Sequence, residues 1–183
     1  MEELQDMLDA EKQLVRALPK MAKAAGDEQL ENVLREHLEV TRGQVARLEQ
    51  VFESMDARPR SRPCRGMKGL VGEGQEMMEE GMEGAILDSA LTGAARKVEH
   101  YEMMGYESAR SLTQQCGCRD AAQLLRETMR GEMEADRTLA QISKRLLKES
   151  GGRGRQKAPT ASLLRDRPDL PGDRPARAVG RGL

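Results

Sequence analysis

The chain of 183 residues contains no tryptophan, one phenylalanine and two tyrosines. Aromatic side chains therefore contribute almost nothing to its core, and an all-β core without them, or without many β-branched residues, would be unusual. Leu, Ala, Met, Glu, Lys, Arg and Gln dominate instead, and these residues lose the least conformational freedom in a helix. The composition predicts an all-α protein.

Long apolar runs are also missing, since no segment approaches the roughly 20 apolar residues that a membrane helix needs. Two glutamates follow Met1 directly, so no secretory signal is expected. The three cysteines, Cys64, Cys116 and Cys118, are an odd number and one short of a structural zinc set. We expect them to be reduced, in a cytoplasmic protein.

The charge is unevenly distributed, although the net value is only −1. Residues 150–183 carry eight Arg or Lys against three Asp, so this tail is +5 and the remainder −6. Its Gly, Pro and Arg content predicts a disordered tail behind one domain of residues 1–149. The tail has no interleaved aromatic residues, so nucleic-acid binding through it is the less favoured alternative.

Apolar residues recur with helical periodicity in four long stretches. Pro19 should bend the first of them, and turns are predicted at Gly26–Asp27 and at Gly117. A loop over 56–66 and a short helix over 67–82 separate the second and third stretches. The predicted long helices span residues 2–25, 28–55, 85–116 and 119–148.

Two tight hairpins joined by one long connection predict a ferritin-like four-helix bundle, in contrast to the simple up-down-up-down order. The connection of about 30 residues easily spans a helix roughly 40 Å long. An offset of 91 residues also aligns the two hairpins, for example Glu11 with Glu102 and Leu34 with Leu125. This alignment is what a duplicated hairpin would give.

Polar residues interrupt the apolar seam near the middle of every long helix. Residues equally distant from a hairpin turn face each other, which places these interruptions at one level of the bundle. Glu99 lies one turn from Glu102, and Asp136 lies at the edge of the group. The polar seam residues are Glu11, His37, Thr41, Glu102, Thr128 and Glu132. The predicted metal ligands are Glu11, His37, Glu99, Glu102, Glu132 and Asp136.

A buried carboxylate without a partner is very costly, and several together repel each other. No Lys or Arg shares the seam with them. A single Glu or His on a helical seam is more often paired or hydrogen-bonded than a ligand, but four coincident interruptions favour a metal site. Oxygen-rich ligands with imidazole suit two metal ions, iron in the first place or manganese.

Several segments resemble the YciE/YciF-type family, a bacterial, stress-associated branch of the ferritin-like superfamily. The resemblance covers residues 2–148 in order, and it implies a rubrerythrin-like bundle, a homodimer and a di-metal site without supplying a reaction. Glu99-x-x-Glu102 is similar to the third-helix ligand pair of rubrerythrins. The segments are Asp9-Ala10-Glu11-Lys12-Gln13-Leu14, Glu36-His37-Leu38-Glu39 with Thr41, Lys97-Val98-Glu99-His100-Tyr101-Glu102, and Glu127-Thr128 with Glu132 and Ala135-Asp136.

The Glu-x-x-His motif of the superfamily is absent from the second and fourth helices. His37 or Glu36 would take its place in the second helix, and Asp136 in the fourth. The sequence does not decide whether Glu39 and Glu127 are further metal ligands. Glycines inside three helices, at positions 43, 105 and 131, are unexpected because glycine weakens a helix.

Two hypotheses about function follow from these features. In the first, the chain is a di-metal carboxylate protein that acts on peroxide, dioxygen or Fe(II) in stress defence. In the second, it is a non-enzymatic helical stress protein that acts through dimerisation or partner binding without metal. Tyr101 and Tyr106 flank the proposed site, and their helical spacing is more typical of packing than of a redox role.

Overall fold

The computed structural model describes residues 1–154, with side chains up to residue 149. This part of the chain forms five helices and no strand, which confirms the all-α prediction. The last helix runs past its predicted end at residue 148, and the rest of the predicted disordered tail lies outside the described residues. The helices are α1 (Glu2–Ala24), α2 (Glu28–Ser54), α3 (Arg65–Glu79), α4 (Gly84–Gln115) and α5 (Arg119–Gly154).

The four long helices form two hairpins, α1–α2 and α4–α5, that pack side by side through α2 on α5 and α1 on α4. The short helix α3 lies in the crossover between the hairpins and packs on α1 and α4. This order is the predicted ferritin-like four-helix bundle. None of the five described helices is both long and apolar enough to cross a membrane.

The two hairpin turns are formed by the predicted residues. The Asp27 side chain caps α2 by accepting a hydrogen bond of 2.9 Å from the Leu30 N–H. Gly117 has a φ of +76°, which glycine adopts without strain. Gly26 has no positive φ; its N–H instead donates a hydrogen bond of 2.7 Å to the Asp88 carboxylate. The first turn is therefore bonded to α4 of the other hairpin.

The apolar core is divided into two clusters by a layer of buried polar residues. One cluster surrounds Leu14, Leu34 and Ile142, near the α1–α2 turn. The other surrounds Leu48 and Phe52, near the α4–α5 turn. The buried polar residues of the intervening layer are Glu11, His37, Thr41, Gln44, Glu99, Glu102, Thr128 and Glu132.

The crossover is attached to α1 by side chains of that helix. Asp9 accepts a hydrogen bond of 2.8 Å from the Cys64 N–H, and Gln13 donates one of 3.1 Å to the Cys64 carbonyl. The buried Cys64 thiol lies 3.0 Å from the Tyr101 hydroxyl. A Cβ on Gly66 would come within 2.7 Å of the Tyr101 ring. Tyr101 is therefore a packing residue of the crossover, and all three cysteines are free.

Gly105 in α4 is explained by its contact with α1. A Cβ at this position would overlap the sulfur of Met7, which is buried in the core. By contrast, a Cβ on Gly43 in α2 would have no neighbour within 4 Å. The two helical glycines therefore differ in their effect on stability.

We expect Gly105→Ala to lower the free energy of unfolding and Gly43→Ala to raise it. The added methyl at position 105 overpacks the core at a cost of about 1–3 kcal/mol, which equals or exceeds the roughly 1 kcal/mol gained in helix propensity. The methyl at position 43 brings only that gain. Urea unfolding of both variants measures the difference, and equal shifts would contradict the assigned contact with Met7.

Candidate metal centre

Four buried side chains from three helices bring their ligand atoms together in the polar layer. His37 comes from α2, Glu99 and Glu102 from α4, and Glu132 from α5. One nitrogen or oxygen atom of each lies within 4.8 Å of the others. The three-residue spacing of Glu99 and Glu102 is less than one helical turn, so both side chains can face the same interior.

Glu11 adds a fifth side chain from α1. Its carboxylate is fully buried and accepts a short hydrogen bond from the Tyr106 hydroxyl. Glu11 is not one of the four residues whose ligand atoms all lie within 4.8 Å of one another. Its charge nevertheless helps to raise the pKa of the Glu102 carboxyl, so the two groups are close neighbours.

Most of the ligand atoms in this layer have no hydrogen-bond partner. His37 Nε2 lies 3.2 Å from Glu99 Oε1, without the geometry of a hydrogen bond. Buried polar atoms without partners are costly and rare in native proteins. A cation would accept lone pairs from all of these atoms, so the residues fit a metal site. The unpartnered carboxylate oxygens are Glu11 Oε2, Glu99 Oε2, both oxygens of Glu102, and Glu132 Oε2.

Burial shifts the ionisation of every member of the cluster toward the neutral form. It raises the pKa of Glu99 to about 8. Burial first, and repulsion from the neighbouring glutamates second, hold the pKa of Glu11, Glu102 and Glu132 well above the ordinary value. Burial lowers the pKa of His37 to about 4, which leaves the imidazole neutral, as a metal ligand must be.

Three side chains of α2 support the ligands from outside the cluster. Gln44 is buried, and its amide donates a short hydrogen bond to Glu132 Oε1. Thr41 donates a hydrogen bond of 2.8 Å to the carbonyl of His37. Arg47 lies beside the layer, where its charge partly offsets the rise that burial causes in the pKa of Glu11 and Glu132.

Gln44 and Arg47 do not follow from the apolar seam, which passes through Val45 and Leu48. The seven-residue spacing of His37 and Gln44 places both on one face of α2. That spacing is the only signal in the sequence for Gln44. Its amide contact with Glu132 on α5 depends on how the two hairpins pack, which the seam does not specify.

Asp136 has the predicted height but lies at the edge of the layer. Its carboxylate bonds to the Arg96 guanidinium at 2.7 Å and lies 3.3 Å from His100 Nε2. The hydrogen bond from Arg96 holds the pKa of Asp136 below its ordinary value. An ionised, paired and partly exposed carboxylate has its countercharge already, and the structure does not bring it into the set of four.

The glutamates that the sequence left open as ligands all face solvent. Glu36 and Glu39 are exposed on α2, and Glu39 pairs with Arg42 at 2.6 Å. Glu127 is exposed on α5 and accepts a hydrogen bond of 2.8 Å from Gln123. In α2 it is therefore His37, and not Glu36, that reaches the buried layer.

Comparison with solved structures identifies close relatives of this arrangement. The crystal structure of the Escherichia coli stress protein YciF matches with a TM-score of 0.78 at 39% identity, covering 80% of this chain and 93% of that one. YcfI from Rhodopseudomonas palustris matches with a TM-score of 0.74 at 33% identity, covering 76% and 88%. A protein from Xanthomonas campestris, 18% identical with a TM-score of 0.67, shares the fold.

Sequence comparison agrees with the structural matches. Protein YciF of Escherichia coli K12 is 41% identical over 141 residues, which cover 76% of this chain and 85% of YciF. The family described as a domain of unknown function, DUF892, matches residues 1–150. The chain therefore belongs to the DUF892 family, the YciF-type family that its motifs resemble.

Proposed function

We propose that the chain is a di-metal carboxylate protein that binds two ions of iron, or of manganese, in the buried layer. Glu11, His37, Glu99, Glu102 and Glu132 are the proposed ligands. The observation that carries the proposal is the set of unpartnered carboxylate oxygens beside one neutral imidazole. Oxygen donors with a single imidazole suit iron and manganese better than zinc, which favours nitrogen and sulfur.

Charge balance supports two ions over one. The four glutamates carry a charge of −4 when ionised, and His37 and Gln44 are neutral. Two divalent cations would match that charge, whereas a single one would leave two buried negative charges. Without metal, the raised pKa values mean that several of these carboxyls keep a proton near neutral pH.

The proposed activity is peroxide reduction or iron oxidation in stress defence. When bound, a pair of redox-active ions would supply electrons to peroxide or dioxygen; with Fe(II) as the substrate, the electrons that it loses would pass to dioxygen or peroxide. The chain would orient the ligands, exclude water through the two apolar clusters, and provide the Tyr106 hydroxyl as a donor to Glu11. The relative YciF is described as a stress protein, and we extend that role to this chain.

The proposal includes a homodimer in the cytoplasm. Ile86 and Met104 are 69% and 65% exposed on α4, and their spacing of 18 residues, five helical turns, places them on one face. The homodimer is carried over from the resemblance to the YciF-type family, and these two side chains, about 27 Å apart along α4, are candidates for its interface. Light scattering on the purified protein would give its oligomeric state.

The wild-type protein should contain about two iron or manganese ions per chain, as in other carboxylate bundles. Glu102→Gln should reduce the content below one, because both oxygens of Glu102 are unpartnered in the layer. Glu107→Gln is the control, since Glu107 is exposed on the same helix. Elemental analysis of protein purified without a His-tag measures the content. If the wild type stays metal-free even after anaerobic addition of Fe(II) or Mn(II), the di-metal proposal is wrong. The non-enzymatic helical stress protein would then be the remaining hypothesis.

The stability of metal-free protein should fall as the pH rises. The folded state holds the Glu99 proton up to a pKa of about 8, whereas the unfolded state releases it near 4.5. The retained proton therefore stabilises the folded state fully below pH 4.5, and this stabilisation is lost by about pH 8. Glu11, Glu102 and Glu132 shift in the same direction. His37 opposes them between pH 4 and 6.5, but it is one group against four.

Metal should reverse this trend, because it binds the deprotonated carboxylates. The increase in the thermal midpoint on adding Fe(II) or Mn(II) is therefore expected to grow from pH 5 to pH 8. Thermal unfolding with metal and with a chelator measures it. A metal-induced increase that is the same at both pH values would argue against carboxylate ligands.

Gln44→Leu should weaken metal binding by about 10- to 100-fold, the usual effect of removing a side chain that orients a ligand. The substitution leaves Glu132 Oε1 without its amide donor. Gln50→Leu makes the same change at an exposed position of α2 and should bind as tightly as wild type. Isothermal titration with Mn(II) gives both affinities; equal values for the two variants would show that the amide has no such role.

A further inference from the structure

A groove on the outer surface of the second hairpin is lined by four arginines, together with two methionines and one glutamate. It lies between α4 and α5, outside the buried carboxylate layer, and has a volume of about 550 Å³. Glu134 is its single acidic residue, and two methionines supply its apolar surface. The groove, called the arginine groove below, is lined by Arg110, Arg126, Met129, Arg130, Met133, Glu134 and Arg137.

The arginines that α5 contributes to the groove have no countercharge. Among the described side chains, no carboxylate oxygen lies within 4.0 Å of Arg126, Arg130 or Arg137. Arg126 and Arg130 are four residues apart, the spacing at which like charges destabilise a helix. Some other surface arginines are paired, such as Arg35 with Glu31 at 2.7 Å, whereas others in the described part of the chain, such as Arg16 on α1, are not. The groove thus concentrates unpaired charge at a cost to the fold.

Arg110 on α4 has an unused donor at the groove. Its Nε is shielded from solvent and has no hydrogen-bond partner. Its other nitrogens are engaged weakly, at 3.3 Å from the Gln114 side chain and 3.7 Å from Glu107. The two weakly held terminal nitrogens can donate to a bound anion, whereas the shielded Nε is reached only if the side chain moves.

We propose that the arginine groove binds a chain of phosphate groups, the chemistry shared by a nucleic-acid strand and an inorganic polyphosphate. Guanidinium groups bind phosphate through two parallel hydrogen bonds, and they stay charged at every physiological pH. Arg126 to Arg137 span about 16 Å along α5 at 1.5 Å per residue. That length exceeds what one phosphate can contact, so the row fits several phosphates in succession.

The proposal is separate from the metal site and from the basic tail. Residues 150–183, which hold eight Arg or Lys, are a different candidate for nucleic-acid binding. The arginine groove lies within the folded bundle, so its contribution can be measured against that of the tail. Metal binding can fail or succeed without affecting the groove.

The test measures binding of the full-length chain to a fluorescein-labelled oligothymidine of about 12 nucleotides by fluorescence anisotropy. The groove variant is Arg126→Glu with Arg130→Glu. Its matched control is Arg16→Glu with Lys20→Glu, since these two residues are also exposed, four apart on a helix and without an ion pair. Arg174→Glu with Arg177→Glu makes the same charge change in the tail.

The groove variant should bind at least about tenfold more weakly than wild type, with both controls within about twofold. The dependence of log affinity on log salt should also become shallower by roughly 0.7 for each lost phosphate contact. Thermal unfolding confirms that each variant is folded. Wild type that binds neither the oligonucleotide nor polyphosphate, or an equal loss in either control pair, would overturn the proposal.

A competition experiment identifies the source of the phosphate chain. Short-chain polyphosphate is added at equal phosphate concentration to the wild type and to the tail variant. If it displaces the oligonucleotide equally from both, the groove recognises phosphates alone. If polyphosphate does not displace the oligonucleotide, and the groove variant still fails to bind it, then the bases add contacts. That result assigns the groove to nucleic acid.

Discussion

Four glutamates in one buried layer cannot all be ionised without a countercharge, and the rest of the bundle is arranged around this constraint. The apolar clusters on either side keep water from solvating the carboxylates. The same burial keeps His37 neutral and raises the pKa of Glu99. In the proposed metal-bound state, cations would replace the protons that the raised pKa values retain, so the stability of the bundle would depend on both pH and metal.

Much of this arrangement could be predicted from the sequence, because each helix reports its own buried face. A polar residue in phase with an apolar repeat, such as Glu11 or Glu132, is visible without any knowledge of its neighbours. Tight turns are equally local, and Asp27 and Gly117 form them as expected. Residues equally distant from a turn lie at the same height in a hairpin, which is enough to place the polar seam residues at one level of the bundle.

Contacts between helices could not be predicted, because they depend on how each helix is rotated about its axis. Asp136 has the right height, yet its rotation directs it to Arg96 at the edge of the layer. Gln44 is the opposite case, since it lies beside the seam of α2 but reaches Glu132 on α5. Gly105, unexpected in a helix, is explained only by the proximity of Met7.

The hydrogen bond from the Gly26 N–H to the Asp88 carboxylate fixes a point from which two segments of chain can be compared. From it, Glu11 lies 15 residues back along α1 and Glu102 lies 14 residues forward along α4. At 1.5 Å per residue both lengths are about 21–22 Å, which brings the two glutamates to the same height. An insertion or deletion in the α1 segment would displace Glu11, and one in α4 before Glu99 would displace Glu99 and Glu102. The two lengths can therefore change during evolution only together.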